Sequence, residues 1–307
     1  MAEVLCIGGA CIDRKYHLAA AVQPGTSNPA RSVRGFGGVA RNVAENLARL
    51  GAQTALFTIV GNDEDGSALV EHARQAGIDV RSTVRTRDGV TPEYAAVVDP
   101  HGDLLVGVSD MQALDELTVE ELEKQAQEIA QSRWVFADCN LPRDVLAWCI
   151  GRAQTGRFKL AIDAVSEPKA RRLPDDLRGI DVLFLNEPEA AAFLREELEE
   201  FRARTPAQRA RAVRSRGAHA VVLTRGPQGL AACTDTCVEI PAAAARCVDV
   251  TGAGDALIAA TIFRLLRGDT VFEAARAGAL CAARTIESSA SVRPDLCAEM
   301  LQACATS

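Results

Sequence analysis

Asp249-Val-Thr-Gly-Ala-Gly-Asp255, followed directly by Ala256-Leu-Ile-Ala-Ala-Thr-Ile-Phe263, is the stretch whose reading decides the fold. The apolar run is long enough to open a helix, and Gly252 and Gly254 stand immediately before it. Glycine costs backbone entropy and suits places where the chain turns tightly or approaches something closely. A helix start presents unpaired N–H groups and the positive end of the dipole. Gly252, Ala253 and Gly254 therefore form a cradle suited to phosphate. Asp255 is out of place there unless it acts, because a carboxylate repels the anion that the backbone attracts. Two readings stand. Asp255 removes a proton from a hydroxyl as it attacks a phosphoryl group, or it only caps the helix, worth about 1 kcal/mol.

Upstream of this turn the chain alternates between apolar runs and helical periodicity. Strands are predicted at 133–137, 158–162, 181–185 and 219–223. Their ends are polar: Asp138-Cys-Asn140, Asp163, Asn186-Glu-Pro-Glu189 and Thr224-Arg-Gly226. Helices are predicted at 118–130, 142–154, from 187 to about 200, at 206–216, and after the glycine turn at 255–267 and 271–284. Two further strands fall within 229–240, joined by residues 234–236. This is an α/β pattern: a mostly parallel sheet flanked by helices, in one domain over residues 1–307. In such sheets ligands gather beyond the carboxyl ends of the strands. The first strand, 4–9, ends in Gly8-Gly9, and Asp13 is expected just past it, either touching a ligand or serving as a turn aspartate. Gly35-Phe-Gly-Gly-Val-Ala-Arg-Asn42 leads into a helical run ending at Gly51. Its glycines, Gly37 and Gly38, would admit a ligand close to the backbone. Asn42 offers both a donor and an acceptor to a hydroxyl.

Residues 79–108 have a different texture. Short alternating segments at 79–85, 93–99 and 103–108 are separated by Asp88-Gly89 and His101-Gly102, which reads as antiparallel strands and turns. With part of 15–34 they would form a small sheet, a lid made of segments about 14–35 and 79–110 over the Asp13–Asn42 site. Its free apolar face needs a partner, which points to a homodimer through the lid. The acidic stretch Gly61-Asn-Asp-Glu-Asp-Gly66 lacks the spacing of a calcium loop and is read as capping a helix at 66–76.

The chain has 307 residues, 48% hydrophobic and 24% charged, with a net charge of −7. No basic stripe suggests a nucleic-acid partner. No run of about 20 apolar residues suggests a membrane span. Without a basic leader before Val4-Leu-Cys-Ile7, a cytoplasmic location is expected. The ten cysteines lie mostly in apolar surroundings and are read as small reduced hydrophobes, not as disulfides. The four histidines form no cluster that suggests a metal centre. A dinucleotide-binding glycine fingerprint does not follow the first strand.

Taken together these stretches resemble the ribokinase-like (PfkB) family of carbohydrate and nucleoside kinases, over about residues 3–290 and in the family's order. Asp249-Val-Thr-Gly-Ala-Gly-Asp255 carries the specific part of the likeness. Gly37-Gly-Val-Ala-Arg-Asn42 is similar to the family's substrate-side glycines and asparagine. Asn186-Glu-Pro-Glu189 is similar to its Asn-x-x-Glu motif, and Thr224-Arg-Gly226 to its phosphate segment. Through Gly8-Gly-Ala-Cys-Ile-Asp13, Thr26-Ser-Asn-Pro29 and Ser109-Asp-Met111, the likeness is greatest to members that phosphorylate pseudouridine, although Cys11 stands where many relatives have asparagine.

The resemblance implies a set of roles. Asp255 would be the base on a 5′-hydroxyl, with Gly252, Ala253 and Gly254 as the anion hole. Asp13, Gly38 and Asn42 would hold ribose hydroxyls, and Met111, Asp138 and Asn140 would lie around the nucleobase. Asn186, Thr224 and Gly226 would meet ATP, and Glu189 would order Mg2+ through water. Asp249 and Thr251 would belong to a monovalent-cation loop, for K+. The implied activity is ATP-dependent phosphorylation of pseudouridine. The alternatives are ribose, another nucleoside (adenosine, inosine, uridine) or a sugar acid as acceptor, or a catalytically silent protein on the same fold.

Overall fold

The structure is a computed structural model that describes residues 2–86 and 89–304, so Asp88 of the expected Asp88-Gly89 turn lies outside the described residues. In chain order the strands are β1 (Val4–Ile7), β2 (Cys11–Leu18), β3 (Ala30–Gly37), β4 (Thr54–Phe57), β5 (Ile59–Val60), β6 (Val84–Arg85) and β7 (Glu93–Val98). They continue with β8 (Leu104–Asp110), β9 (Trp134–Asp138), β10 (Lys159–Asp163), β11 (Val182–Asn186), β12 (Ala220–Thr224), β13 (Leu230–Cys233) and β14 (Cys237–Ile240).

An eight-stranded sheet runs in the order β14-β13-β12-β11-β10-β9-β1-β4. From β12 to β4 every pairing is parallel, and β13 and β14 close one edge antiparallel. The fold class is therefore the α/β class expected. The parallel strands are apolar runs because both faces are covered. All four residues of β1 are fully buried. Leu5 and Ile7 enter one core, with Phe57, Val135 and Leu160. Val4 and Cys6 enter the opposite core, with Leu56, Phe136 and Ala161. The two-residue period of a strand thus feeds two cores at once. Helices Val39–Arg49 and Ala253–Leu266 pack on the second core, and Arg143–Ala153 and Glu187–Leu194 on the first.

A separate four-stranded sheet has the order β3-β2-β7-β8. β2 pairs antiparallel with β3 but parallel with β7. The all-antiparallel expectation is corrected here. Between β3 and β7 the chain crosses the large domain, and only such a long connection can bring a neighbour back in the same direction. Asp13 lies inside β2, not in a loop after β1. The stretch 79–85 is not in this sheet either. Asp79 bridges Ala55, and Val84–Arg85 pair with Ile59–Val60.

Other differences are local. The helix expected at 118–130 is two, Val119–Lys124 and Ala126–Gln131. The helix after β11 stops at Leu194, where Arg195 takes a left-handed conformation (φ 60°). A disulfide joins Cys233 and Cys237, against the expectation of none. The β13–β14 register sets these two residues opposite one another, 4.1 Å apart at Cα. Among the described residues no helix is long and apolar enough to cross a membrane.

Candidate active site

The glycine turn opens a helix where the sequence predicts one, with Asp255 in its first turn. The helix Ala253–Leu266 has Gly252 as its N-cap and no side-chain cap, so Asp255, three residues further on, is not capping it. Its Oδ2 instead accepts a hydrogen bond of 2.8 Å from Asn42 Nδ2. Gly252 is left-handed (φ 80°), and a Cβ there would run into the Ser291 carbonyl. Above Gly254 lies open space. The Ala253 N–H turns back to the Val250 carbonyl at 3.3 Å, so the cradle's least engaged donors are those of the two glycines. Burial pushes the Asp255 carboxyl up to about 7, with Asp138 and Asp13 adding to the rise and the Asn42 hydrogen bond and Arg41 opposing it. A carboxylate titrating near neutrality beside an open helix start is suited to taking a proton from a hydroxyl.

On the side nearest the small sheet, Asp13 stands over Gly37, where a Cβ would collide with its carboxylate. Gly38 (φ 94°) packs on Gly9 and Ala10 with no room for a side chain. These glycines are thus required by the chain's own close packing as much as by any ligand. Asn42 is oriented by a neighbour that the sequence did not single out. The buried Arg41 donates to Asn42 Oδ1 at 2.7 Å and to the Phe36 carbonyl at 2.7 Å, and it pairs with Glu45. With Oδ1 held, the Nδ2 donor faces Asp255.

Asp138 and Met111, expected around the nucleobase, have partners within the fold. Asp138 is fully buried, and its carboxylate accepts from the N–H groups of Gly9 (2.8 Å), Ala40 (2.9 Å) and Asn140 (2.9 Å). It ties the ends of β1 and β9 to the helix Val39–Arg49. Met111 packs partly against the first core. Asn140 remains at the cleft, with Lys169 donating to its Oδ1.

The residues expected to meet phosphates gather at neighbouring strand ends. Asn186 and Thr224 are register partners on β11 and β12, and the exposed Gly226 opens the turn after β12. Asn186 and Glu189 form a reciprocal capping box, with Glu189 accepting from the Asn186 N–H and side-chain amide, both at 2.8 Å. Burial raises the Glu189 carboxyl. Asp163, at the end of β10, was not foreseen as a site residue. Its carboxyl is raised well above the usual range by burial, then by Glu189, Asp255 and Asp138. It accepts from the N–H of Val165, held at φ 68°, a conformation rare for a β-branched residue.

This concentration of acidic groups fits Mg2+. That ion keeps several waters and takes one or two carboxylates besides substrate phosphates; no group of three or more His, Cys, Asp or Glu side chains that could hold a metal is present among the described residues. The donors at Asp249 do not fit K+. Asp249 Oδ2 accepts from Lys15 Nζ at 2.6 Å, and Oδ1 accepts from the Thr251 N–H (2.9 Å) and hydroxyl (2.6 Å). An ammonium from the small sheet already neutralises this carboxylate.

Asp255 and Asn42 are thus brought together, as are Asn186, Glu189 and Thr224, and Asp13 with Gly37. Lys15, Arg41, Asp163 and Lys169 join them without having been singled out. Only Asp163 carried a signal, as one of several polar residues ending an apolar strand.

Known proteins resemble this chain in sequence and in fold. The family model described as pfkB family carbohydrate kinase matches residues 1–296. A pseudouridine kinase of Escherichia coli (strain K12) is 29% identical over 302 residues, covering 95% of this chain and 93% of that protein. A solved carbohydrate kinase from Agrobacterium tumefaciens superposes with a TM-score of 0.82 at 32% identity, covering 99% of this chain and 96% of that one. A solved ribokinase from Thermotoga maritima shares the fold, with a TM-score of 0.85 at 21% identity over 99% of both chains. The chain belongs to the pfkB family of carbohydrate kinases.

Proposed function

We propose that the protein transfers the γ-phosphoryl group of ATP to the 5′-hydroxyl of a ribosyl acceptor, with pseudouridine as that acceptor. The observation that carries the transfer is Asp255. It lies in the first turn of an open helix start, is held by Asn42 and titrates near neutrality. In this reading Asp255 takes the hydroxyl proton as phosphorus is attacked. The N–H groups at the helix start stabilise the charge on the transferring group without first having to reorient. Asp13 positions the sugar hydroxyls. Glu189, with Asp163 beside it, would hold Mg2+ through water. The ion's contribution when bound is to neutralise phosphate charge. Asn186, Thr224 and Gly226 border the strand ends along which ATP phosphates would lie. The small sheet would act as the lid, and a homodimer would form through it.

The choice of pseudouridine is supported by the Escherichia coli relative, which matches nearly end to end. Free ribose is a second reading, supported by the ribokinases among the relatives, one from Mus musculus at 28% identity and the Thermotoga maritima structure. These likenesses as a group fit a sugar or nucleoside acceptor better than they single out one compound. ATP consumption measured in parallel with pseudouridine, uridine, adenosine, inosine and ribose separates the readings. The expected outcome is a kcat/KM for pseudouridine at least about tenfold above the others, a discrimination within reach of a few buried polar contacts. Preference for ribose would replace the acceptor and keep the reaction. No turnover of any member would favour a silent protein on this fold.

A further inference from the structure

Lys169 stands beside Asn140, Asp138 and Cys11 and has no role in the transfer described above. β10 ends at Asp163, the chain turns through Val165, and the four-residue helix Glu167–Ala170 presents Lys169 half-buried. Its ammonium donates to Asn140 Oδ1. Asn140 is itself fixed, its N–H on Asp138 Oδ1 at 2.9 Å and its carbonyl on Arg172 at 2.6 Å. An ammonium has three donors, and Asn140 accepts one. Among the described residues no carboxylate forms an ion pair with Lys169. Burial lowers its pKa, although the nearby Asp138 favours the charged form.

Neighbouring polar groups connect Asp255 to Lys169: Asp13 acts on Asp255, Cys11 bonds Asp13, and Lys169 acts on Cys11. Asp255 and Asn42 mark where the reacting hydroxyl would sit. Next comes Asp13, to which the Cys11 thiol donates at 3.4 Å. Lys169 is near enough to Cys11 for its charge to act on the thiol, and Asn140 lies over Gly9, where its amide excludes a Cβ. A ribose with its 5′-hydroxyl at Asp255 and its ring hydroxyls at Asp13 would direct its anomeric substituent toward Lys169. Cys11 offers only a weak donor there, which leaves the ammonium as the strong one.

We propose that Lys169 is a specificity-determining residue whose ammonium donates to a carbonyl oxygen on the group at the acceptor's anomeric carbon. The acceptor class is then a pentose bearing a carbonyl-rich base such as uracil, and a free pentose leaves that donor unanswered. This deepens the kinase reading and rests on it. The test compares wild type, Lys169→Met and Lys169→Arg in two measurements: ATP turnover with pseudouridine and with ribose, and calorimetric binding of pseudouridine without nucleotide.

The expected result in Lys169→Met is a fall of about tenfold or more in the ratio of kcat/KM for pseudouridine to that for ribose, the size of one charged hydrogen bond. The loss should lie mainly in KM, with a parallel loss of binding and partial recovery in Lys169→Arg. An unchanged ratio with both acceptors impaired would mean that Lys169 only props Asn140, and it would overturn the proposal. So would a wild type that phosphorylates ribose but neither binds nor phosphorylates pseudouridine, although the kinase reading would survive that result. If the wild type turned over neither acceptor, the kinase reading would fall and calorimetry would still decide. Tenfold weaker binding in Lys169→Met upholds the role of the lysine, and no binding by wild type removes it.

Discussion

The eight-stranded sheet and the four-stranded sheet both contribute residues to the candidate site but differ in how far they are buried. β1 is wholly buried, as are β4 and β9, so the strand ends that carry polar groups are held by packing on both faces. Every residue of β8 is exposed. Pairing alternates the faces of the small sheet. Asp13 and Lys15 lie on the face that meets Gly37 and Asp249, while Tyr16, Val97 and Val106 lie on the other. If the small sheet acts as the proposed lid, the fixed groups lie on the doubly covered sheet and the groups that would approach and leave lie on the thin one. Local stability differs within a fold in this way, and moving elements come from its weaker part.

The largest expected effect tests the rigid side. Asp255→Asn keeps the shape and removes the base, and kcat should fall on the order of 100-fold or more in steady-state assays. Wild-type kcat should rise with pH through about 7, and the variant should lose that limb. The stability effect has the opposite sense. A carboxyl with a folded pKa of about 7 and an ordinary one near 3.9 when unfolded binds its proton more tightly in the folded state. Its contribution to stability is therefore lost as pH rises from about 4 to 7. Asp255→Asn should raise Tm at pH 8 and raise it less at pH 5, by scanning calorimetry. An unchanged kcat would remove the assigned role, and a lower Tm at pH 8 would show that the carboxylate is not strained.

Next in size is Gly252→Ala. It places a side chain at φ 80° and directs its Cβ into the Ser291 carbonyl. A loss of about 2–4 kcal/mol in denaturant unfolding is expected, combining backbone strain with overpacking. Gly254→Ala meets open space and should leave stability within about 1 kcal/mol of wild type, the helical preference of alanine over glycine. The pair therefore separates the glycine that holds the turn from the one that borders it. Equal losses would mean that the helix start is closed.

How much of this was legible follows from the same contrast. β9 to β12 could be read because strands covered on both faces must be apolar runs, and their first polar residues mark the strand ends. Asp255 could be read because its carboxylate contradicts its local surroundings. The small sheet was only half legible. Alternation showed strands, but not that β7 would pair parallel with β2, nor that 79–85 would join the large domain. Lys15 and Asp249 are 234 positions apart, and Arg41 and Lys169 look like solvated surface cations until the fold closes over them. Nothing local shows the three backbone N–H groups that converge on Asp138, so its structural role was not legible beside the expected ligand contact. Cys233 and Cys237 were judged by composition, when hairpin register decides their proximity.

The smallest effect on the single chain belongs to the thin sheet. Leu104, Val106 and Val108 are 58%, 49% and 59% exposed. On β8 they give the small sheet an apolar side without a covering layer, a feature that marks an association surface. With homodimerisation through the lid as the proposal, Val106→Glu combined with Val108→Glu should change the stability of the isolated chain by no more than about 0.5 kcal/mol, as surface substitutions do. Sedimentation should nonetheless shift from dimer to monomer. Because the opposite face of this sheet carries Asp13 and Lys15, the loss of its support should show as a several-fold rise in acceptor KM with little change in kcat. A wild type that sediments as a monomer would leave β8 without its proposed partner. A loss of kcat as large as that of Asp255→Asn would show that the thin sheet also fixes the reacting groups, and the division of labour between the two sheets would not hold.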